Sequence, residues 1–228
     1  MSKLFSLGPR LQKCAAFIRP GARVADIGTD HGYLPIWLVK TGHASSVIAA
    51  DIGEGPLSAA KANARKYEAP LTAVLSDGFE RIDPASFDDA VLAGMGGELM
   101  AKIISKADFL KDGGKRLVLQ PMTSAPELRR YLSQAGFMIE REEAVEDDGK
   151  IYSVMRAVYQ PEKAYLSELE IYMGKISPNS QDSRAYAAAV AARLTNMLLG
   201  VEHRQETANA ETLRQLIQAI ENEYLDLC

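Results

Sequence analysis

The sequence predicts an α/β fold: a seven-stranded, mostly parallel sheet with helices on both faces, followed by a helical extension. Three observations predict it. Short apolar runs alternate with helix-period segments from residue 23 to residue 135. Two longer β-patterned stretches then meet at a DDGK turn. Beyond Pro161 the strand pattern stops and only helix-period segments follow.

Residues 3–19 place Leu4, Leu7, Leu11, Ala15 and Ile18 at helical spacing, and Pro20-Gly21 ends the pattern. Strand candidates are RVADI (23–27), SVIAAD (46–51), LTAVLS (71–76), DAVLAG (89–94) and RLVLQ (116–120). Helical segments fall near 34–41, 55–67, 97–108 and 124–135. Strands separated by helices assemble as parallel βαβ units. FMIEREEAVEDD (137–148) and KIYSVMRAVYQ (150–160) join at Gly149 and add an antiparallel pair, giving seven strands. In the tail, 162–177, 181–199 and 207–226 read as helices. Leu213, Leu216, Ile217, Ile220 and Tyr224 form one apolar stripe, and Tyr186, Val190, Met197 and Leu198 a second. A polar link, GVEHRQETANA, joins them into a coiled-coil-like helix pair. The expected division is a sheet domain over 1–160 and a helical domain over 161–228.

Composition narrows the function classes. The chain is 47% hydrophobic and 25% charged, which excludes a disordered protein. No run of about 18 apolar residues exists, so no membrane span is expected. The N-terminus lacks an unbroken apolar core with a small-residue cleavage site, so no secretory signal is expected. Cys14 and Cys228 form no CxxC, which points away from a metal site and towards a reducing, cytoplasmic setting. The net charge is −4; Lys and Arg balance Asp and Glu at 20 each through Gln160, and the tail carries 6 against 10. No broad basic face is visible, so a grip on nucleic acid would rest on local residues. Lys13, Arg19, Lys61, Arg65, Lys66, Arg129 and Arg130 are the candidates.

The chemistry concentrates where strands end. RVADI runs into Gly28-Thr29-Asp30-His31-Gly32 and then a helix, the arrangement of a Rossmann-like nucleotide-binding turn. Gly28 suits the tight turn and Gly32 a close approach. Asp30 stands where a pyrophosphate would lie, and like charges there cost a few kcal/mol, roughly, at an effective dielectric near 20. S-adenosylmethionine has no phosphate; it carries a sulfonium and an ammonium, which suit Asp26 and Asp30. Asp30 also fits a plain helix cap. Asp51 ends the second strand and can accept both ribose hydroxyls, with Ile52 beside it as a further cofactor contact. Ser76-Asp77-Gly78 follows the third strand, where an Asp carboxylate and the next N–H can read an adenine edge, although an ordinary turn has the same residues. Gly94-Met95-Gly96-Gly97 follows the fourth, a backbone that something must approach closely.

In this order the pieces resemble a class I S-adenosylmethionine-dependent methyltransferase. DIGTDHGYLPI, ADIGEGPLSAAKANA, SDGF, GMGGELM, LVLQP and EDDGKIYSV are similar to the bacterial tRNA adenosine-22 N1-methyltransferase family over residues 5 to 160, and the helical tail fits that family's coiled-coil extension. The chain departs from the family pattern in LGPRL (7–11), where the pattern has LSxRL, and in QPM (120–122), where it has QPN. The resemblance implies S-adenosylmethionine as cofactor and tRNA as substrate, methylated at N1 of an adenosine.

The residues agree with that chemistry. The (Asp/Asn)-Pro-Pro-aromatic motif of exocyclic-amine methyltransferases is absent, and GMGG occupies its place. N1 of adenine has an in-plane lone pair and needs no general base, only in-line placement. Gly94, Met95 and Gly96 would admit the base, and Asp30 would stabilise the cationic product. A flipped base could be covered by Tyr33 and Met95, with Gln120 and Pro121 at its edge and Arg10 at a phosphate. The same side chains also suit core packing, a strand-end amide and a helix surface pair. His31 suits either catalysis or a ring fixed by the loop; His43 and His203 read as surface residues. The tail reads either as an RNA-binding arm or as helix packing, with the chain a monomer or a weak dimer through it; its acidic balance opposes the first. Two rivals stand. A nicotinamide-dependent dehydrogenase would use the Tyr159–Lys163 spacing, but Pro161 breaks the required helical turn. A non-catalytic module would bind the cofactor without turnover.

Overall fold

The protein, seen here in a computed structural model, is described over residues 4–160 and 165–225. Seven strands form one sheet: β1 (Arg23–Ile27), β2 (Ser46–Asp51), β3 (Thr72–Leu75), β4 (Asp89–Gly96), β5 (Arg116–Thr123), β6 (Phe137–Asp147) and β7 (Lys150–Tyr159). Their order is β3-β2-β1-β4-β5-β7-β6. The first five are parallel to one another, and β7 is antiparallel to both β5 and β6. The central strands are buried on both faces, which is why they read as continuous apolar runs. One core cluster packs Ala25, Leu92, Met100 and Leu128 beneath the sheet, and a second packs Phe17, Val24, Leu38 and Val91 on the other face.

The helices are α1 (Pro9–Phe17), α2 (Tyr33–Lys40), α3 (Glu54–Lys66), α4 (Gly97–Ser105), α5 (Ala125–Gln134), α6 (Glu168–Met173), α7 (Gln181–His203) and α8 (Thr207–Ile220). The first is shorter than the 3–19 pattern. Gly8 is extended (ψ 160°) because the residue before a proline disfavours the helical region, and Pro9 then opens the helix. Leu4 keeps its phase by chance and packs instead near Ile36 and Ala64. The β6–β7 turn is Asp148-Gly149 with φ of 53° and 70°, the pair of positive values that a two-residue hairpin requires.

The tail also departs from its pattern. Of the expected helix over 162–177, the described residues form only α6, opened by a Ser167–Glu170 capping box and closed at Gly174, whose φ is 67°. A Cβ at Gly174 would lie 2.0 Å from a Glu142 carboxylate oxygen, so only glycine fits. Residues 161–164 and 226–228, which include Pro161, Lys163 and Cys228 of the expectations above, lie outside the described residues. Tyr159 itself ends a strand, not a helix. α7 and α8 bury Tyr186, Ala187, Leu194, Leu216 and Ile220 together with Ala144 of β6; Met197, expected on this stripe, is 40% exposed. No helix among the described residues is long and apolar enough to cross a membrane.

Arg129 of α5, proposed above as a nucleic-acid contact, is fully buried instead. Its guanidinium pairs with Glu142 of β6 at 2.6 Å, both side chains without solvent exposure. It also donates to the Ile171 and Tyr172 carbonyls, each at 2.8 Å, and to the Tyr186 hydroxyl at 2.9 Å. Removing one member of a buried pair strands the other charge, at a cost of about 3–5 kcal/mol. We expect Glu142→Leu to lose about that much in urea unfolding, and Arg129→Met combined with Glu142→Leu to recover most of it. An unchanged midpoint for the single variant would contradict the assignment.

Candidate active site

The sheet order reverses between β1 and β4, which leaves a crevice at the C-terminal ends of these strands. The loops after β1, β2, β3 and β4 all border it. The Gly28 and Thr29 N–H groups both donate to the Ala50 carbonyl, at 2.8 and 2.9 Å, and tie the first loop to the end of β2. Ser76 N–H donates to the Asp51 carbonyl at 2.9 Å and ties β3 to the same place.

Gly28 has φ of 81°, and a Cβ there would lie 2.7 Å from the Met95 methyl group. The half-buried Met95 therefore bridges the first and fourth loops. Gly32 has φ of 69°, and a Cβ there would meet that of Ala60 on α3 at 2.9 Å. The close approach expected at Gly32 is thus made by the neighbouring helix. His31 adopts φ of 54°, its carbonyl accepts from Asn63 Nδ2 at 2.9 Å, and its ring stays half exposed. The loop backbone fixes this residue.

Two carboxylates of the first loop differ in environment. Asp30 is three-quarters exposed, with His31 Nε2 at 3.4 Å. It caps no helix; Gly32 is the residue preceding α2, and no side chain caps it. Asp26 is 6% exposed, and burial pushes its pKa up to about 6, with the Asp51 charge adding to the effect. The Thr29 hydroxyl counters this in part, but it is buried outside hydrogen-bond geometry.

At the second loop, Asp51 Oδ1 accepts from Gly53 N–H at 2.7 Å, and Oδ2 has no hydrogen-bond partner among the described residues. Ile52 beside it is 71% exposed, an apolar side chain facing solvent at a strand end. At the third loop, the buried Ser76 hydroxyl donates to the Gly78 carbonyl at 3.0 Å and accepts from Arg81 N–H at 3.0 Å, so Ser76 shapes the turn. Asp77 is about half exposed, with Lys106 Nζ at 3.5 Å.

The fourth loop joins three of the sequence candidates in one knot. Gln120 Oε1 accepts from Gly94 N–H at 3.1 Å and from Arg10 Nη1 at 2.6 Å. Arg10 Nε also lies 3.5 Å from Asp147. Gln120 is fully buried and its Nε2 donates to the Pro121 carbonyl at 3.0 Å. The expectations of a solvated amide at Gln120 and a helix-surface pair at Arg10 are corrected. Gln120 is an interior group and Arg10 a part-buried one, both with partners inside the chain. The glycine run answers mainly to β5. A Cβ at Gly96 would lie 3.2 Å from Thr123 Oγ1, and one at Gly97 only 2.2 Å from the Ser124 carbonyl oxygen. The β4–β5 register shifts at these residues, a bulge beside the crevice.

Tyr33 is 42% exposed and meets Phe5 edge-on at 5.0 Å. Among the basic candidates, Arg19 is misplaced for the crevice. It pairs with Asp89 at the opposite, N-terminal end of β4. Lys13 is held by Glu143 at 2.6 Å and Arg130 lies 3.5 Å from Glu168. Lys61, Arg65 and Lys66 are exposed on α3. Sequence reasoning missed Asn63 and Asp147, whose roles arise only from tertiary contact.

Comparison with known proteins agrees with this geometry. A family model described as a methyltransferase domain matches residues 7–155. The tRNA (adenine(22)-N(1))-methyltransferase of Bacillus subtilis is 38% identical over 153 residues, 66% of this chain and 64% of that protein, just under two thirds of its length. A candidate tRNA methyltransferase of Mycoplasma pneumoniae is 34% identical over 163 residues, covering 70% of this chain and 74% of that protein. The crystal structure of the B. subtilis m1A22 tRNA methyltransferase aligns with a TM-score of 0.83 at 28% identity, over 96% of this chain and 99% of that one. A candidate tRNA m1A22 methyltransferase of Streptococcus pneumoniae, in complex with S-adenosyl-L-methionine, aligns with a TM-score of 0.78 at 28% identity, over 91% and 98%. With the strand order, the glycine turn after β1 and the acid ending β2 on the same scaffold, the chain belongs to the methyltransferase-domain family.

Proposed function

We propose that the protein transfers the methyl group of S-adenosylmethionine to N1 of adenosine 22 in tRNA. The observation that carries this reading is the pair of carboxylates at the crevice, Asp26 buried beneath the Gly28 turn and Asp51 with one oxygen unpaired. The donor set fits that cofactor. Asp51 Oδ2 is available to ribose hydroxyls, Ile52 offers an apolar face to the adenine, and Asp26 supplies negative charge near a cationic ligand. When bound, the cofactor supplies an electrophilic methyl group. The chain's own task is placement, which contributes roughly 7–11 kcal/mol to such reactions. Gln120 holds Gly94 and Arg10 in fixed positions, Met95 and Tyr33 cover the target base, and the exposed Asp30 faces the charge that develops on it. No residue needs to remove a proton from N1.

We place the reaction in the cytoplasm and assign it to a monomer. The apolar stripes of α7 and α8 pack within the chain, which supports that state.

Three measurements test the reading. Unmodified tRNA incubated with methyl-labelled cofactor is expected to yield 1-methyladenosine at position 22, and any other product nucleoside defeats the assignment. Asp51→Ala is expected to weaken cofactor binding about 10- to 100-fold in calorimetry, the loss of charge-assisted bonds worth about 1.5–3 kcal/mol. The third concerns pH. Because its pKa is raised in the folded protein, Asp26 contributes stability that is full below the ordinary carboxylate value of 3.8 and lost as pH rises through about 6. A cationic ligand favours the ionised form. Cofactor affinity is therefore expected to rise up to about tenfold per pH unit towards pH 6 and level off above it, and Asp26→Asn to flatten the profile. An affinity in the wild type that does not change across this range would refute the role.

A further inference from the structure

Beyond the crevice lies a second cleft, of about 160 Å³, between the end of β5, the start of β7 and α7. Its walls include Pro121, Met122, Tyr152, Tyr172, Val190 and Arg193. We propose that this cleft is a nucleotide subsite, taking the base of an RNA residue next to the target adenosine while Arg193 holds its phosphate. The proposal rests on the functional reading above and adds the place where the substrate is gripped.

Four features carry it. The cleft is open, has room for one flat ring system and is mainly apolar. Met122 is 40% exposed there, although it ends a central strand. Tyr152 and Tyr172 are half-buried, and their hydroxyls have no partner among the described residues. Aromatic faces with a free polar tip suit unstacked bases, which is how proteins recognise looped RNA.

Second, α7 aims its residues at the cleft in register. Tyr186, Ala189, Val190 and Arg193 fall on one face at helical spacing. Third, among the described residues Arg193 is the tail's unpaired cation that lines the cleft; Arg184, also unpaired, lies outside its walls. Arg204 pairs with Glu206 at 2.6 Å and Arg214 with Glu202 at 2.5 Å, whereas Arg193 has no acidic partner among the described residues and is exposed. The tail is acidic overall, and two of its described cations, Arg204 and Arg214, are held by its own carboxylates. A free guanidinium at the rim of an apolar cleft matches a phosphate bonded to a buried base.

Fourth, the cleft adjoins the crevice along the end of β5. Gln120, which fixes Gly94, donates to the Pro121 carbonyl at 3.0 Å and contacts Met122 sulfur at 3.7 Å. Ser124, whose carbonyl abuts Gly97, lies in the cleft wall. An RNA strand with its target base at Gly94 would meet this cleft with an adjacent nucleotide.

Three variants test the subsite without touching the crevice. Ala189→Trp fills the cleft from an exposed helix position, and Arg193→Glu reverses the rim charge. Each is expected to raise KM for tRNA at least about tenfold, while kcat stays within about twofold and cofactor affinity by calorimetry is unchanged. Arg193→Ala should reduce the slope of log KM against log salt by about one, the signature of one lost phosphate contact. If Ala189→Trp retains native circular dichroism and wild-type KM, the subsite is overturned, whatever Arg193→Glu does. If the wild-type protein methylates no tRNA, the functional reading fails instead, a result these variants would not produce.

Discussion

The Arg129–Glu142 pair is the constraint on which the rest of the architecture depends. Burial works against a charged guanidinium, but Glu142 and Tyr186 more than offset it, and Arg129 stays ionised. Nε donates to Glu142 at 3.0 Å, while the two terminal nitrogens reach Glu142, Tyr186 and two α6 carbonyls. Glu142 in turn accepts from Lys175 N–H at 3.1 Å. Sheet, α5, α6 and α7 are thereby tied at one point. A buried charge tolerates only a fully satisfied arrangement, so the geometry of the tail on the sheet is specified rather than merely permitted. The cleft facing α7 inherits its shape from that anchoring, because Tyr186 belongs both to the network and to the cleft wall.

The glycines at the crevice show a related principle. Each looks like room left for a ligand, but several are filled by the chain. Met95 methyl occupies the space over Gly28, Ala60 that over Gly32, Ile103 that over Gly78, and the Ser124 carbonyl that over Gly97. These contacts hold four loops from different parts of the sequence in register with one another. Preorganisation of this kind is what a reaction without proton transfer requires, since its barrier is lowered mainly by placement.

The fold was legible in the sequence because most of its signals are local. Alternating apolar runs gave the parallel strands, and Asp148-Gly149 gave the hairpin. What escaped was set by distant contacts. Leu4 is in phase with α1 but lies before Pro9, so backbone sterics overruled periodicity. The segment 162–177 looked helical throughout, but the Glu142 carboxylate forces glycine geometry at 174. At the site, the strand-end positions of Asp26, Asp51, Asp77 and Gly94 were readable from order and spacing. The environments of Gln120, Arg10 and Arg129 were not, because a polar residue's burial depends on partners far away in sequence: 110 positions separate Arg10 from Gln120.

The hairpin that closes the sheet also sets a timetable for biosynthesis. Arg10 of α1 reaches Asp147, and Lys13 reaches Glu143, so the first helix is fastened to the sixth strand. During translation the amino-terminal helix gains its Gln120 contact once β5 has left the ribosome, and its Glu143 and Asp147 contacts only once β6 has. The earliest-made helix therefore completes its docking late, and the crevice, whose Gly94 loop shares Gln120 with Arg10, is assembled only once β5 has emerged.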